Sequence, residues 1–221
     1  RPNPIRLPKQ GPAMTTADSS ALPLSSYLKE QTTSTHESLD QRIMALAPFS
    51  SRERFACFLR MQLRLHHATA PLYQNPELQA LLPDLAERNR LEAIQLDCAD
   101  FDISQAQQQA DAEVGNGVQP GSTAEALGWL YTHEGSTLGA AFLLKHAREQ
   151  LGLSETFGAR HLVGHTDGRG VHWRQFKAAL DALPLSVEER AEAVKGARDA
   201  FAFVRASVEE LLAGQQPAAA V

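Results

Sequence analysis

The stretch YTHEGSTLGAAFLL, residues 131–144, reads as the interior of a helix, with Leu138, Ala140, Ala141 and Leu143 as good formers and no proline. Yet it carries Gly135 and Gly139, and each glycine inside a helix costs on the order of 1 kcal/mol relative to alanine. Each residue of a helix advances about 100°, so Gly135 and Gly139 each fall within roughly 20° of Gly128 and the three form one bare strip. Two readings of that strip stand side by side. Small residues let two helix backbones approach closely, or something flat and rigid lies against the exposed backbone. The Gly135-Ser136 pair also loosens the helix, because the Ser136 hydroxyl can bond back to a carbonyl and promote a bend.

Outward from this segment, the pattern predicts helices over about 26–46, 51–72, 76–99 (broken near Pro83), 123–150, 173–182 and 187–213. SRERF at 51–55 and SVEER at 186–190 read as capped helix starts. Residues 103–122, polar and glycine-rich, read as a loop, as do 152–172. No stretch alternates like a strand and no repeat recurs, so the expected fold is all-α in a single domain at 26–213. Residues 1–25 are expected to be a flexible tail, with Met14 a candidate natural start, and 214–221 a fraying C-terminal tail.

A formal net charge of −5 and the lack of a basic stripe argue against a nucleic-acid partner. His133 and Glu134 break the longest apolar run, so no membrane helix is expected. Cys57 and Cys98 stand far apart, which suits reduced thiols in a cytoplasm better than a disulfide framework. A monomer is the default.

Most of the eight histidines read blandly. His133-Glu134 begins like HExxH, but Thr137 stands where the second histidine belongs, so the zincin motif fails. His161 and His165 lack a cluster that would complete a zinc site. His66, four residues after Gln62, shares its helix face and could join a polar network. His36 lies on one face with Leu39 and Ile43. By itself it is either a hydrogen-bonded core residue or a metal ligand. Combined with the glycine strip, it supplies the two walls that a haem needs: an imidazole for the iron and bare backbone on the other face.

TTSTHESLD around His36, PFSSRERFACFLRMQ at 48–62, ALGWLYTHEGSTLGAAFLLKHA at 126–147, GARHLVGHTDGRGVHW at 158–173 and KGARDAFAF at 195–203 together resemble the bacterial haem oxygenases of proteobacterial iron-uptake and bilin pathways. The resemblance spans residues 26–212. It implies that haem is both cofactor and substrate and is cleaved with O2 to biliverdin, carbon monoxide and ferrous iron. It further implies His36 as proximal ligand, with Gly135, Ser136 and Gly139 lining the distal face of a kinked helix. Gln62 and His66, with His161 and Trp173, match a polar network that holds ordered water. Lys29 and Tyr131 match propionate-binding positions, which implies the α isomer of biliverdin. The chain has no GxGxxG, P-loop or flavin motif, so its electrons would come from a separate ferredoxin or NAD(P)H-dependent reductase. The rival expectation is a haem-binding or storage protein of the same fold without turnover. A haem-free chemistry is disfavoured, since Cys57 lacks an adjacent base and no Glu-x-x-His pairs occur.

Overall fold

Four serines begin the principal helices. Ser51, Ser104, Ser122 and Ser186 each accept a hydrogen bond of 3.1 Å from the backbone N–H three residues on, which satisfies a donor that has no partner within the helix. The computed structural model describes residues 22–215. These form α1 (Leu24–Ala45), α2 (Arg52–Tyr73), α3 (Pro76–Leu81), α4 (Leu91–Asp100), α5 (Gln105–Asn116), α6 (Thr123–Leu151), α7 (Arg169–Asp181) and α8 (Val187–Leu211). Short 3-10 turns occupy Leu85–Arg88, Arg160–Leu162 and Ala213–Gln215. Among the described residues there is no strand, and no helix is long and apolar enough to cross a membrane. The tail expected at 1–25 lies outside the described residues up to residue 21. Leu24 and Ser25 belong to α1, where both are buried and Ser25 donates to Asp181 of α7 through its N–H and hydroxyl at 2.7 and 2.8 Å.

The long helices α6 and α8 form the centre, with α1 and α2 laid against α8 and α7 against α6. Phe55, Phe58, Leu59 and Leu63 of α2 meet Leu127 and Leu130 of α6 and Val204 and Val208 of α8 in one apolar core. Each such side chain, fully withdrawn from water, contributes about 1.5–3 kcal/mol. The backbones of α6 and α8 meet closely where two glycines allow it. A Cβ on Gly128 would fall on the carbonyl oxygen of Ala193, and one on Gly196 would fall on that of Glu125. Close by, Thr132 donates its hydroxyl to the Ala197 carbonyl at 3.3 Å.

The loop expected over 103–122 is instead mostly helix, α5, and the reason is tertiary. Ser104 and Gln107 form a capping box at its start. Asp111, fully buried, accepts from the guanidiniums of Arg60 and Arg64 on α2 at 2.8 Å each, and Arg64 reaches on to Glu210 of α8. Gly115 lets α5 approach α2, since a Cβ there would lie 2.6 Å from the Arg64 carbonyl oxygen. The helix is held by a buried charge network that a hydrophobic pattern does not register. Replacing Asp111 with Asn should cost about 3 kcal/mol, because Arg60 and Arg64 lose their shared anion in a dry site. A urea melt reads this directly, and a loss below about 1 kcal/mol would mean that the network is not what holds α5.

Candidate functional site

The glycine strip divides into two parts with different duties. Gly128 is a packing glycine, pressed on α8 as described above. Gly139 faces open space, for a Cβ added there would meet nothing within 4 Å, while one on Gly135 would touch the Trp173 ring of α7 at 3.4 Å. The single strip expected from ideal helical spacing therefore does not serve one purpose along its length. From Gly135 to Phe142 only Ala140 is buried, and Leu138 and Phe142 are 43% and 53% exposed. Two apolar side chains one helical turn apart are thus bared in the middle of a long helix, as a wall for an apolar ligand requires.

The backbone of this segment is loosened by its own side chains. Ser136 donates its hydroxyl to the His133 carbonyl at 2.5 Å, the back-bond expected from sequence, and Thr137 does the same to Glu134 at 2.6 Å. Such bonds compete with the helical ladder for the same carbonyls. Arg169 of α7 donates to the Thr137 carbonyl at 2.9 Å, so this oxygen too is claimed from outside the helix.

α1 and α6 both rest on α8 and scarcely touch each other. On α1, His36 is not a core residue: its side chain is 54% exposed, its ring lies 5.4 Å from that of Phe201 on α8, and its Nε2 donates to Asp40 at 3.2 Å. That hydrogen bond raises the imidazole above its ordinary value. Lys29, seven residues earlier, is exposed and makes no ion pair among the described residues. Tyr131 is buried, its ring 5.5 Å from that of Trp173, and burial pushes its phenol up to about 12.

Gln62 and His66 sit on α2 as expected, but in richer company. Polar residues Gln62, His66, Thr69 and Tyr73, spaced four, three and four apart, place one polar stripe on a largely buried helix. His66 donates from Nδ1 to the Gln62 carbonyl at 2.7 Å, so it is the backbone of Gln62 that fixes the ring. Its ring meets His133 edge-on at 4.5 Å and His161 at 6.1 Å. Thr69 bonds His133 at 2.8 Å, and Tyr73 donates its hydroxyl to Glu134 at 2.6 Å. Arg88 donates to the other Glu134 oxygen at 2.9 Å. Asp97 of α4 accepts from Nδ1 of His161 at 2.7 Å, which leaves Nε2 of His161 buried with no partner among the described residues. His133, Glu134, Tyr73, Arg88 and Asp97 were not singled out from sequence as members of a site. The stripe on α2 was the available signal; their convergence from four separate segments was not.

Burial is the main force on these imidazoles. It holds His66 well below its ordinary value and His133 at about 4, with the neighbouring imidazoles and Arg90 adding to the effect, and it lowers His161 despite Asp97. A histidine that binds its proton only after unfolding stabilises the fold above its unfolded value of 6.5 and loses that contribution as pH falls toward the folded value. Stability should therefore decline from about pH 6.5 toward pH 4, each such group adding at most about 1.4 kcal/mol per pH unit. Melting temperatures recorded across that range check this, and a flat profile would rule out neutral buried histidines.

The donor set suits one kind of ligand. Among the described residues no three His, Cys, Asp or Glu side chains gather to hold a bare metal ion. A lone exposed imidazole fits a metal that arrives with its own planar chelate, and open Gly139 with bared Leu138 and Phe142 fits a flat apolar macrocycle. Comparisons with known proteins identify the family. Residues 22–210 match the family model described as Heme oxygenase. A relative from Pseudomonas aeruginosa, "Heme oxygenase PigA", is 43% identical over 171 residues, 75% of this chain and 81% of that protein. The solved structure of the NO- and CO-bound heme oxygenase from Neisseria meningitidis superposes with a TM-score of 0.80 at 39% identity, covering 90% of this chain and 96% of that one. Heme oxygenase-1 from Synechocystis, solved in complex with heme, shares the fold with a TM-score of 0.66 at 17% identity, over 87% and 94% of the two chains.

Proposed function

The chain belongs to the haem oxygenase family, an enzyme that takes haem as both prosthetic group and substrate and cleaves it to biliverdin, and from that premise we propose which of its residues do the work. The observation that carries the proposal is the pairing of an exposed imidazole on α1 with a segment of α6 that offers open space at Gly139. His36 is the iron ligand, through the same Nε2 that lies 3.2 Å from the Asp40 carboxylate. Lys29 Nζ and the Tyr131 hydroxyl, each without a hydrogen-bond partner among the described residues, receive the propionates. Haem, once bound, supplies the iron on which oxygen is activated and the ring carbon that is opened.

The protein's own part is to orient and to ration protons. Gly135 and Gly139 leave room beside the distal wall, and Ser136 keeps its hydroxyl tied to the His133 carbonyl. No charged side chain stands in the segment 135–142, so no strong acid or base reaches the site from α6 itself. Proton supply falls to the buried network behind it. His66 holds a lone pair at Nε2 because Nδ1 carries its proton toward Gln62. His161 is fixed in the same tautomer by Asp97. Buried acceptors of this kind take ordered water, and such water relays protons without a bulky base at the reacting atoms. With the propionates held by Lys29 and Tyr131, the product is the α isomer. Electrons come from a separate ferredoxin or NAD(P)H-dependent reductase, in the cytoplasm, for iron release or bilin supply.

The test is a titration with haem followed by reductant under air. One equivalent should bind, and its Soret band should give way to a biliverdin spectrum over minutes. Chromatography of the pigment should show the α isomer, with mixed isomers appearing once Lys29 and Tyr131 are replaced by Ala and Phe. Haem that binds but survives the reductant would instead support a carrier role.

A further inference from the structure

A second cleft lies on the side of α6 lined by Glu134 and Thr137, where it meets the 3-10 turn at Leu85–Arg88, the start of α4 and the loop before α7. Its volume is about 530 Å³, within the range of small-molecule sites. Four arginines line it: Arg88, Arg90, Arg160 and Arg169. Two of them are spoken for, Arg88 by Glu134 at 2.9 Å and Arg160 by Asp97 and Asp100. Arg90 and Arg169 form no ion pair among the described residues. Arg90 makes one long hydrogen bond, 3.4 Å to the Arg160 carbonyl, and Arg169 donates only to the carbonyls of Thr137 and Leu162. Each guanidinium has five N–H donors, so most of theirs are unused.

This arrangement is costly unless something answers it. Two cations share a partly desolvated cleft, where burial and their mutual repulsion oppose the charge of Arg90 and the nearby carboxylates of Glu134 and Asp97 offset this only in part. The carboxylates of Glu87 and Glu92 also line the cleft, yet both are exposed at its rim and neither pairs with an arginine. Glu134 is already shared by Tyr73 and Arg88. Gly164 keeps the place of Arg169 clear, since a Cβ there would press on its side chain at 2.8 Å. His165 and His172 stack at 4.0 Å, nearly parallel, among the lining residues. A further cavity of about 400 Å³, lined by Lys145 and Arg148, adjoins through Arg169.

We propose that this cleft binds a small organic anion carrying two or more oxyanion groups, bridged between the guanidiniums of Arg90 and Arg169. Planar N–H forks recognise carboxylate and phosphate oxygens alike. The volume exceeds what one inorganic oxyanion fills, which points to an organic polycarboxylate or a diphosphate. The cleft adjoins the distal segment of α6 at Thr137, and binding there does not depend on haem. Its occupancy would nevertheless be felt there. Arg90 acts electrostatically on His66, His133 and His161, and Arg169 holds the Thr137 carbonyl of the distal segment.

The experiment is a thermal-shift titration of the purified protein with citrate and, separately, with pyrophosphate, against sodium chloride of matched ionic strength. A saturable rise with half-saturation below about 1 mM is expected from at least one of them, and which one responds separates a carboxylate from a phosphate ligand. Arg90→Gln should weaken that response at least tenfold, while melting no lower than wild type in anion-free buffer. A response no greater than that to chloride, or one unchanged in Arg90→Gln, would overturn the site. Should the variant fail to fold, the arginine Nε resonances of the wild type decide. Those of Arg90 and Arg169 must move together and saturate with the anion while that of Arg42, paired on the surface with Glu209, stays put. If they do not, no bridging anion binds.

Discussion

His36→Ala is expected to lower affinity for haem by roughly 100-fold, about 2.7 kcal/mol, and to abolish turnover, while leaving the fold intact. The reason is that His36 does little for the fold. Its side chain is half exposed, and its contacts are an exposed hydrogen bond to Asp40 and the Phe201 ring. An exposed pair of this kind contributes between nothing and about 1 kcal/mol, so the melting temperature should hardly move. The control that isolates the iron bond is iron-free protoporphyrin, which offers the same apolar face with no metal to ligate. Its affinity should be the same in wild type and variant. Exogenous imidazole, placed in the space the ring vacated, should restore part of the turnover. If haem and iron-free porphyrin lose affinity equally, His36 packs against the macrocycle and does not bind its metal.

Gly128→Val is expected to cost at least roughly 4–5 kcal/mol, because the added Cβ lands on a backbone carbonyl of α8 that cannot move without parting the two central helices. Gly139→Ala, eleven residues on and nominally on the same face, should do the opposite. Nothing lies within 4 Å of its Cβ, so the variant gains helix propensity of about 0.5–1 kcal/mol. Turnover should nonetheless fall on the order of tenfold, as the methyl group occupies space beside the reacting ring. Thermal melts and single-turnover spectra on both variants separate the two roles. A Gly139→Ala protein that is both less stable and unimpaired in catalysis would return that glycine to the packing seam.

This contrast marks where reading the sequence stopped. Periodicity and small residues placed Gly128, Gly135 and Gly139 on one face, and that geometry is local, so it could be read from spacing alone. Which neighbour meets each glycine depends on where α8 and α7 cross α6, and no local rule carries that. Two helix starts were legible for a related reason: Ser51 and Ser186 cap within three residues. Helix α5 was not, because what holds it is Asp111 against Arg60 and Arg64, charges some fifty residues away along the chain. The same holds for the polar network, in which His133 and Glu134 look like a failed metal motif until Thr69, Tyr73 and Arg88 close around them.

Taken by itself, then, the sequence determined that the chain is helical, where its long helices run, that His36 is a candidate ligand, and that a glycine-rich helix stands among them. Those properties follow from backbone propensity, capping and periodicity, which act over one or two turns. Tertiary structure alone decided that α1 and α6 rest on α8 without packing on each other, that Gly139 opens on space while Gly128 is closed by backbone, and that Arg90 and Arg169 lie together with no ion pair among the described residues. Each of these is set by how distant helices cross, and crossing is decided by the packing of whole faces together.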